Sequence, residues 1–459
     1  MTRPWAIVTA LYLAACLLLG GASAAGVAVN AALQLVGLAL IGGLLWGGGV
    51  RLPRGSRTPF LLALLFLAAG LISLVPLPPA AWTGLPLRDQ VAAGFRMVGM
   101  DLPSLPISLW PRATVASLLS LIPPAAIFFL VLRLSIEERR LLLWVILIVA
   151  GLSIVLGAFQ LMGGRDSPLR LYAITNAGAA VGFFANRNHQ ATLLLCSLPI
   201  VGIIAARFVT RRGSRSKQSA GAITSLAMGL FLTVGIAIVG STAGYALFLP
   251  AALASLLIYR RGVVGRLSWI WPAALGVLLV LFIAAGLRGP LSSEELAVEV
   301  SQDPSSRRVI AETTVDAIHA SFPLGTGLGT FSTVYRLFEE PNRVAHGFAN
   351  HAHNDYLEIA LEMGIVGILL VAGFLSWWAL ASWRAWRSDF PGAALARGGT
   401  VMTAVVLFHS LVDYPIRTAA IAALFALACG FMVRPRAEAR EAAPAAAGTG
   451  ETLRHLEAD

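Results

Sequence analysis

Residues Leu141 to Met162 read LLLWVILIVAGLSIVLGAFQLM, a run without one charged side chain. A helix of that length rises about 33 Å, close to the ~30 Å hydrocarbon core of a bilayer. Glu137, Glu138, Arg139 and Arg140 precede the run, and Arg165 and Asp166 follow it. The ends are therefore wetted and the middle is not. Because the segment is apolar on every face, it has no side to turn towards water.

Working outward, runs of this kind recur along the whole chain of 459 residues. The apolar fraction is 57%, mean hydropathy is +0.78, and charged residues make up 12%, against about 25% in an ordinary soluble protein. That composition excludes a soluble globule, a disordered chain, a collagen-like fibre and a disulfide scaffold. A membrane β-barrel would show short alternating stretches instead. The sequence predicts an all-α integral membrane protein of about 12 transmembrane helices, with a large, partly helical outer loop between helices 9 and 10. Residues 1–433 form one polytopic membrane domain, the loop covers about 288–357, and 434–459 reads as a disordered tail rich in Ala, Glu and Arg. The ninth span falls over about 267–287 and the tenth over about 358–380. Cys16, Cys196 and Cys429 lie within apolar runs and read as small buried hydrophobes.

The net charge of +11 is explained by where the charges lie. When alternate loops are sorted from an inside N-terminus, one set holds 22 of the 34 basic residues and only 8 of the 23 acids. This is the positive-inside pattern. The basic excess reports orientation and contact with anionic membrane lipid, not nucleic acid, and both termini are placed in the cytoplasm. Within the spans ionisable residues are scarce, His409 and Asp413 being the main candidates, and no convincing internal repeat is present. A transporter would be expected to carry midplane charges, so a non-catalytic polysaccharide or lipid transporter is the weaker reading. The polar groups gather on the outer face.

The densest polar constellation is His351-Ala352-His353-Asn354-Asp355-Tyr356-Leu357-Glu358, which opens the tenth span. Asn354 suits the N-cap and Asp355 the first turn, where negative charge favours the helix dipole. A histidine just before such a helix, with carboxylates in reach, is equipped to take a proton from a hydroxyl. His346, His351, His353 and Asp355 follow no familiar zinc spacing, and no metal site and no cofactor are expected. Upstream lie Arg307-Arg308 and then Pro323-Leu324-Gly325-Thr326-Gly327-Leu328-Gly329-Thr330-Phe331, whose glycines would let backbone N–H groups approach an anion. Gly364 and Gly367 on the tenth span would let a neighbouring helix come close. Another outer loop ends Phe184-Ala185-Asn186-Arg187-Asn188-His189. Arginines at that face suit phosphate oxygens.

These motifs resemble the O-antigen ligase and O-antigen polymerase proteins of bacterial envelopes. His353-Asn354, nine residues and then Gly364-Ile365-Val366-Gly367 match the ligase signature. Arg308 to Pro323 and the glycines beyond look like a second family segment, and Phe184-Ala185-Asn186-Arg187-Asn188 like a third. The resemblance covers about residues 105–430. Two departures stand out: Ile368-Leu369 replace the Gly-Thr-Trp that can end the signature, and Ser241-Thr242-Ala243-Gly244 stands where many relatives have Ser-Arg-Gly.

The resemblance implies a metal-independent, inverting glycosyltransferase of the GT-C type in the bacterial cell inner membrane. Its donor would be an undecaprenyl-pyrophosphate-linked glycan, and its active site would be periplasmic. His353 is implied as the base. Arg187 and Arg308 would bind the pyrophosphate, with Arg307 as the alternative to Arg308, and Asn354, Asp355 and Asn186 would support the site. The acceptor would be another glycan or lipid A–core; a protein hydroxyl, as in protein O-oligosaccharyltransferases, is the alternative. A chain-length regulator or a flippase is the partner to look for at the cytoplasmic loops.

Overall fold

The computed structural model describes residues 4–22, 28–47, 52–210, 215–262, 307–341 and 349–434. Among these the protein is all-helical, and one isolated bridge between Leu77 and Leu105 is its only β pairing. Helices α1 (Pro4–Leu19), α2 (Ala28–Trp46) and α3 (Arg57–Ile72) lead into the short α4 (Pro79–Trp82) and α5 (Asp89–Met97). Next come α6 (Pro111–Leu119), α7 (Ile122–Arg133), α8 (Ile136–Met162), α9 (Arg187–Thr210), α10 (Arg215–Val239) and α11 (Thr242–Gly262). The remaining helices are α12 (Arg307–Ser321), α13 (Phe331–Phe338), α14 (Asp355–Arg387), α15 (Ala393–His409) and α16 (Ala419–Met432).

Seven segments among the described residues are long and apolar enough to cross a membrane: α2, α6 with α7, α8, α9, α10, α11 and α14. The shorter α1, α3, α15 and α16 are apolar too. Leu141 to Met162 lies within α8, and the expected tenth span lies within α14. The expected ninth span, the loop residues 288–306, His346 and the tail from 435 lie outside the described residues.

Local chemistry sets the ends of these helices. At the start of α8, Ser135 Oγ accepts the Glu138 N–H at 3.4 Å while Glu138 Oε2 accepts the Ser135 N–H at 2.9 Å, a reciprocal capping box. Arg139 is buried because it serves another helix. Its guanidinium donates to Gly430 O at 3.0 Å and Val433 O at 2.7 Å, satisfying carbonyls at the end of α16. Helix α9 is the hub, wrapped by α8, α10, α11 and α15 and buried along most of its length. The three cysteines are buried and free.

Contacts among the loops mark the two ends of the bundle. At one end Arg207 pairs with Glu137 at 3.0 Å, Arg261 donates to Trp386 O at 2.6 Å, and Arg397 donates to Ser388 O at 3.0 Å. At the other end the starts of α9, α14 and α16 meet the end of α15. There Ile310, Ala317, Phe331, Val334, Tyr335, Ala352 and Leu361 form a small core that seats α12 and α13 on the first turns of α14.

Candidate active site

The site is built where α14 begins. Asn354 Oδ1 accepts the N–H groups of Tyr356 at 3.0 Å and Leu357 at 3.1 Å, so it caps the helix as its residue type suggests. Its Nδ2 donates to Leu411 O at 2.9 Å, tying that cap to the chain beyond α15. Asp355 turns to other partners: Ser410 Oγ donates to it at 2.7 Å, and Arg417 Nε lies 3.4 Å away. Neither side chain hydrogen-bonds the His353 ring.

That contact is made by Asp413. His353 has φ +50°, a conformation that costs a non-glycine residue on the order of 1–3 kcal/mol. Its Nδ1 sits 3.1 Å from Asp413 Oδ1, with Asp413 fully buried and the His353 side chain 24% exposed. The other oxygen, Asp413 Oδ2, accepts from Asn186 Nδ2 at 3.2 Å. Burial works against the Asp413 charge. The hydrogen bond from His353 and the nearby His189, His353 and Arg307 outweigh it and hold the carboxyl well below the usual carboxylate range. An ionised carboxylate only accepts, so Nδ1 of His353 must carry the hydrogen. With Nδ1 so occupied, a lone pair for general-base work can lie only on Nε2. Tyr414 fills the space between three imidazoles: His351 lies tilted against its ring at 4.2 Å, and His353 and His189 approach edge-on at 5.0 and 5.2 Å.

The arginines divide. Arg308 Nε bonds Glu312 Oε1 at 2.8 Å along α12, and its side chain is 72% exposed. Arg307 is the one whose charge is felt by both Asp413 and His409. Arg187 opens α9 beside Asn186, and its N–H donates to Asn176 Oδ1 at 2.9 Å. Among the described residues no carboxylate pairs with the guanidinium of Arg187 or Arg307. Asn188, the next member of that block, accepts from Ser241 Oγ at 2.7 Å, and Ser241 Oγ also accepts the Gly244 N–H at 3.0 Å. The serine of the departing Ser-Thr-Ala-Gly segment thus locks the start of α11 to α9.

The glycine-rich loop pairs its backbone with a break in helix α14. Helix α14 breaks at Gly364, where φ is +54° and ψ is −137°. The break strands the carbonyls of Leu361 and Glu362, and the loop supplies their partners: Thr326 N donates to Leu361 O at 3.0 Å and Gly327 N to Glu362 O at 2.8 Å. In return Ile365 N donates to Pro323 O at 2.9 Å. A Cβ on Gly364 would stand 2.0 Å from Pro323 O, and one on Gly325 2.6 Å from Gly364 N. The nearest atoms around Gly367 belong to Ile359 and Met363 of its own helix. The spacing of the signature reflects a spliced helix.

Two site residues sit in Asp413-Tyr414-Pro415-Ile416-Arg417, a short break between two apolar runs. An acid, a phenol and an arginine within five residues was the available signal. Arg417 collects three carboxylates, reaching Glu362 at 3.1 Å, Asp355 at 3.4 Å and Glu358 at 3.5 Å. Among the described residues no three His, Cys, Asp or Glu side chains are grouped to hold a metal ion.

An all-helical bundle with several membrane-length apolar helices, and with a histidine–aspartate pair beside arginines at one end, defines a multi-pass membrane protein with its polar site at a bundle end. Residues 226–372 match the family model Wzy_C, described as O-antigen ligase. The match bears out the resemblance and supports the O-antigen ligase and polymerase family, which implies glycan transfer of that type on lipid-linked substrates. The matched stretch holds Arg307, the glycine-rich loop, His353, Gly364 and Gly367; Arg187, Asp413 and Arg417 lie outside it. No curated protein matches the chain.

Proposed function

We propose that this protein transfers glycan from an undecaprenyl-pyrophosphate-linked donor to a sugar hydroxyl on the periplasmic face of the bacterial inner membrane. The acceptor is another glycan or lipid A–core, so the reaction is polymerisation or ligation. His353 Nε2 takes the proton of the acceptor hydroxyl as its oxygen attacks the anomeric carbon. The new glycosidic C–O bond forms with inversion while the bond from that carbon to the phosphate oxygen breaks. The pyrophosphate departs with the bonding pair. Arg187 and Arg307 offset the charge that develops on it, an electrostatic role suited to a partly dehydrated site. Asp413 holds the reactive tautomer and stabilises the imidazolium that forms. Asn186 holds Asp413, and no metal is needed in this scheme.

The observation that carries this reading is the His353 to Asp413 contact of 3.1 Å, with the carboxylate buried and the ring partly open. The uneven distribution of basic residues between alternate loops in the sequence supports a periplasmic site through the positive-inside rule.

The test is envelope glycan analysis in a deletion strain complemented with wild type, His353→Ala or Arg307→Ala at equal membrane abundance. Wild type should restore long glycan and both variants should fail. Single-repeat product on the acceptor would identify a polymerase, and long glycan stranded on the polyprenyl carrier a ligase. Full complementation by His353→Ala would overturn the assignment.

A further inference from the structure

The His353 conformation needs a cause, because φ +50° is uncommon for any residue other than glycine. The turn before it is gripped by one carboxylate from the following helix. Glu358 Oε1 lies 2.8 Å from His351 Nδ1, and Glu358 Oε2 accepts the Ala352 N–H at 2.9 Å. Glu358 is 1% exposed, and Arg417 stands 3.5 Å from it as a counter-charge. Both residues preceding His353 are therefore pinned to the first turn of α14, and Asn354, immediately after it, is pinned as the N-cap. The one residue between those anchors takes the left-handed conformation and presents its ring to Asp413.

We propose that Glu358 is a positioning residue for the reaction: charge-balanced by Arg417, it clamps His351 and the Ala352 N–H and thereby holds His353 against Asp413. Glu358 itself touches no substrate in this scheme, and the inference rests on His353 being the base. Arg417 is needed because three carboxylates converge there. With the arginine in place Glu358 keeps the ionised, acceptor-only form that both arms of the clamp require. Loss of the clamp lets the 351–353 turn relax toward ordinary backbone angles, which swings the ring off Asp413. A displacement of about an ångström at a reacting group costs on the order of a hundredfold in rate.

The test uses membrane vesicles of the deletion strain, which supply their own lipid-linked donor and acceptor. Each full-length variant is normalised for abundance, and the rate of glycan transfer is read. Glu358→Gln preserves shape and can still accept the Ala352 N–H but carries no charge, and about a tenfold loss is expected. The deciding comparison is the same change in an Asp413→Asn background. If Glu358 acts through the His353 to Asp413 contact, the second change costs less than about threefold there, because interactions in one network are not additive. A merely structural defect would cost the same factor in both backgrounds.

Should Glu358→Gln fail to accumulate, His351→Gln removes the other arm of the clamp, with about a threefold loss expected and the same silence in the Asp413→Asn background. Rates within twofold of wild type, or equal losses in both backgrounds, would overturn the proposal. A fully active His353→Ala would instead overturn the base assignment, so the two failures are distinct.

Discussion

The ring of His353 and the carboxylate of Asp413 meet at 3.1 Å although 60 positions of chain separate them. One residue opens α14 and the other follows α15, so the pair exists only when the ends of those helices are brought together. The backbone N–H of Asp355 donates to Ser410 O at 2.9 Å and Tyr356 Oη to Leu407 O at 2.9 Å, and these bonds align the two helix ends. The reactive pair is thus set by backbone carbonyls of α15 and the turn after it as much as by its own hydrogen bond.

Asp413→Asn should separate orientation from basicity. The amide can bond either tautomer of His353 and brings no charge to stabilise the imidazolium. Glycan transfer should fall about 10²-fold, while His353→Ala should fall within the ~10²–10⁴-fold range of a lost general base. Initial rates in membranes at matched abundance provide the check. An Asp413→Asn protein working at the wild-type rate would remove Asp413 from the mechanism.

Much of this fold was legible because bilayer physics is insistent. A segment such as Leu141 to Met162 has one structural solution, and Asn354 announces an N-cap by residue type alone. The partner of His353 was not legible in the same way. Asp413 and Asp355 are both acids near His353 in some sense, and sequence distance favoured Asp355. Three-dimensional packing assigned Asp355 to Ser410 and Arg417 instead. The pairing of the glycine-rich loop with helix α14 was hidden for a related reason. Glycines that admit an anion and glycines that admit another backbone look alike in sequence, and only the stranded carbonyls of Leu361 and Glu362 reveal which is needed. Arg307 and Arg308 are adjacent in sequence, and helical geometry alone sends their side chains in different directions.

The two arginines should behave differently when removed. Arg307→Ala deletes a charge felt by Asp413 and His409, and its loss should lower transfer by about 10²-fold through weaker leaving-group stabilisation. Arg308→Ala removes a solvent-screened surface pair with Glu312 and should leave transfer within about twofold. Parallel complementation with quantified glycan length checks this. A reversed pattern would return the site role to Arg308.

Gly364→Ala should damage folding before it damages chemistry. Its φ of +54° alone costs alanine about 1–3 kcal/mol, and the added Cβ would meet Pro323 O at 2.0 Å. The loop and the broken helix would have to part, unpairing Thr326 N and Gly327 N from their carbonyls. Reduced membrane abundance and a lower unfolding temperature in detergent are the expected readouts. Gly84→Ala, at a position with only distant neighbours, serves as the control and should be neutral. Equal thermal stability of Gly364→Ala and wild type would contradict the splice.

The last prediction concerns pH and the His351 to Glu358 contact of 2.8 Å. Burial disfavours the charged His351 ring. The Glu358 carboxylate and the hydrogen bond to it outweigh burial, Arg417 opposes and Asp355 assists, and the net direction is upward from the ordinary histidine value. A group whose folded pKa lies above its unfolded one stabilises the protein fully below the unfolded value, about 6.5, and loses that contribution as pH rises through the folded value. Wild type should therefore exceed His351→Gln in unfolding temperature most at about pH 5.5 and least at about pH 9. Thermal unfolding of both proteins in one detergent across that range measures the difference. A gap that stays constant would mean that His351 contributes packing against Tyr414 rather than charge, and a gap that widens with pH would mean that its ring is neutral throughout.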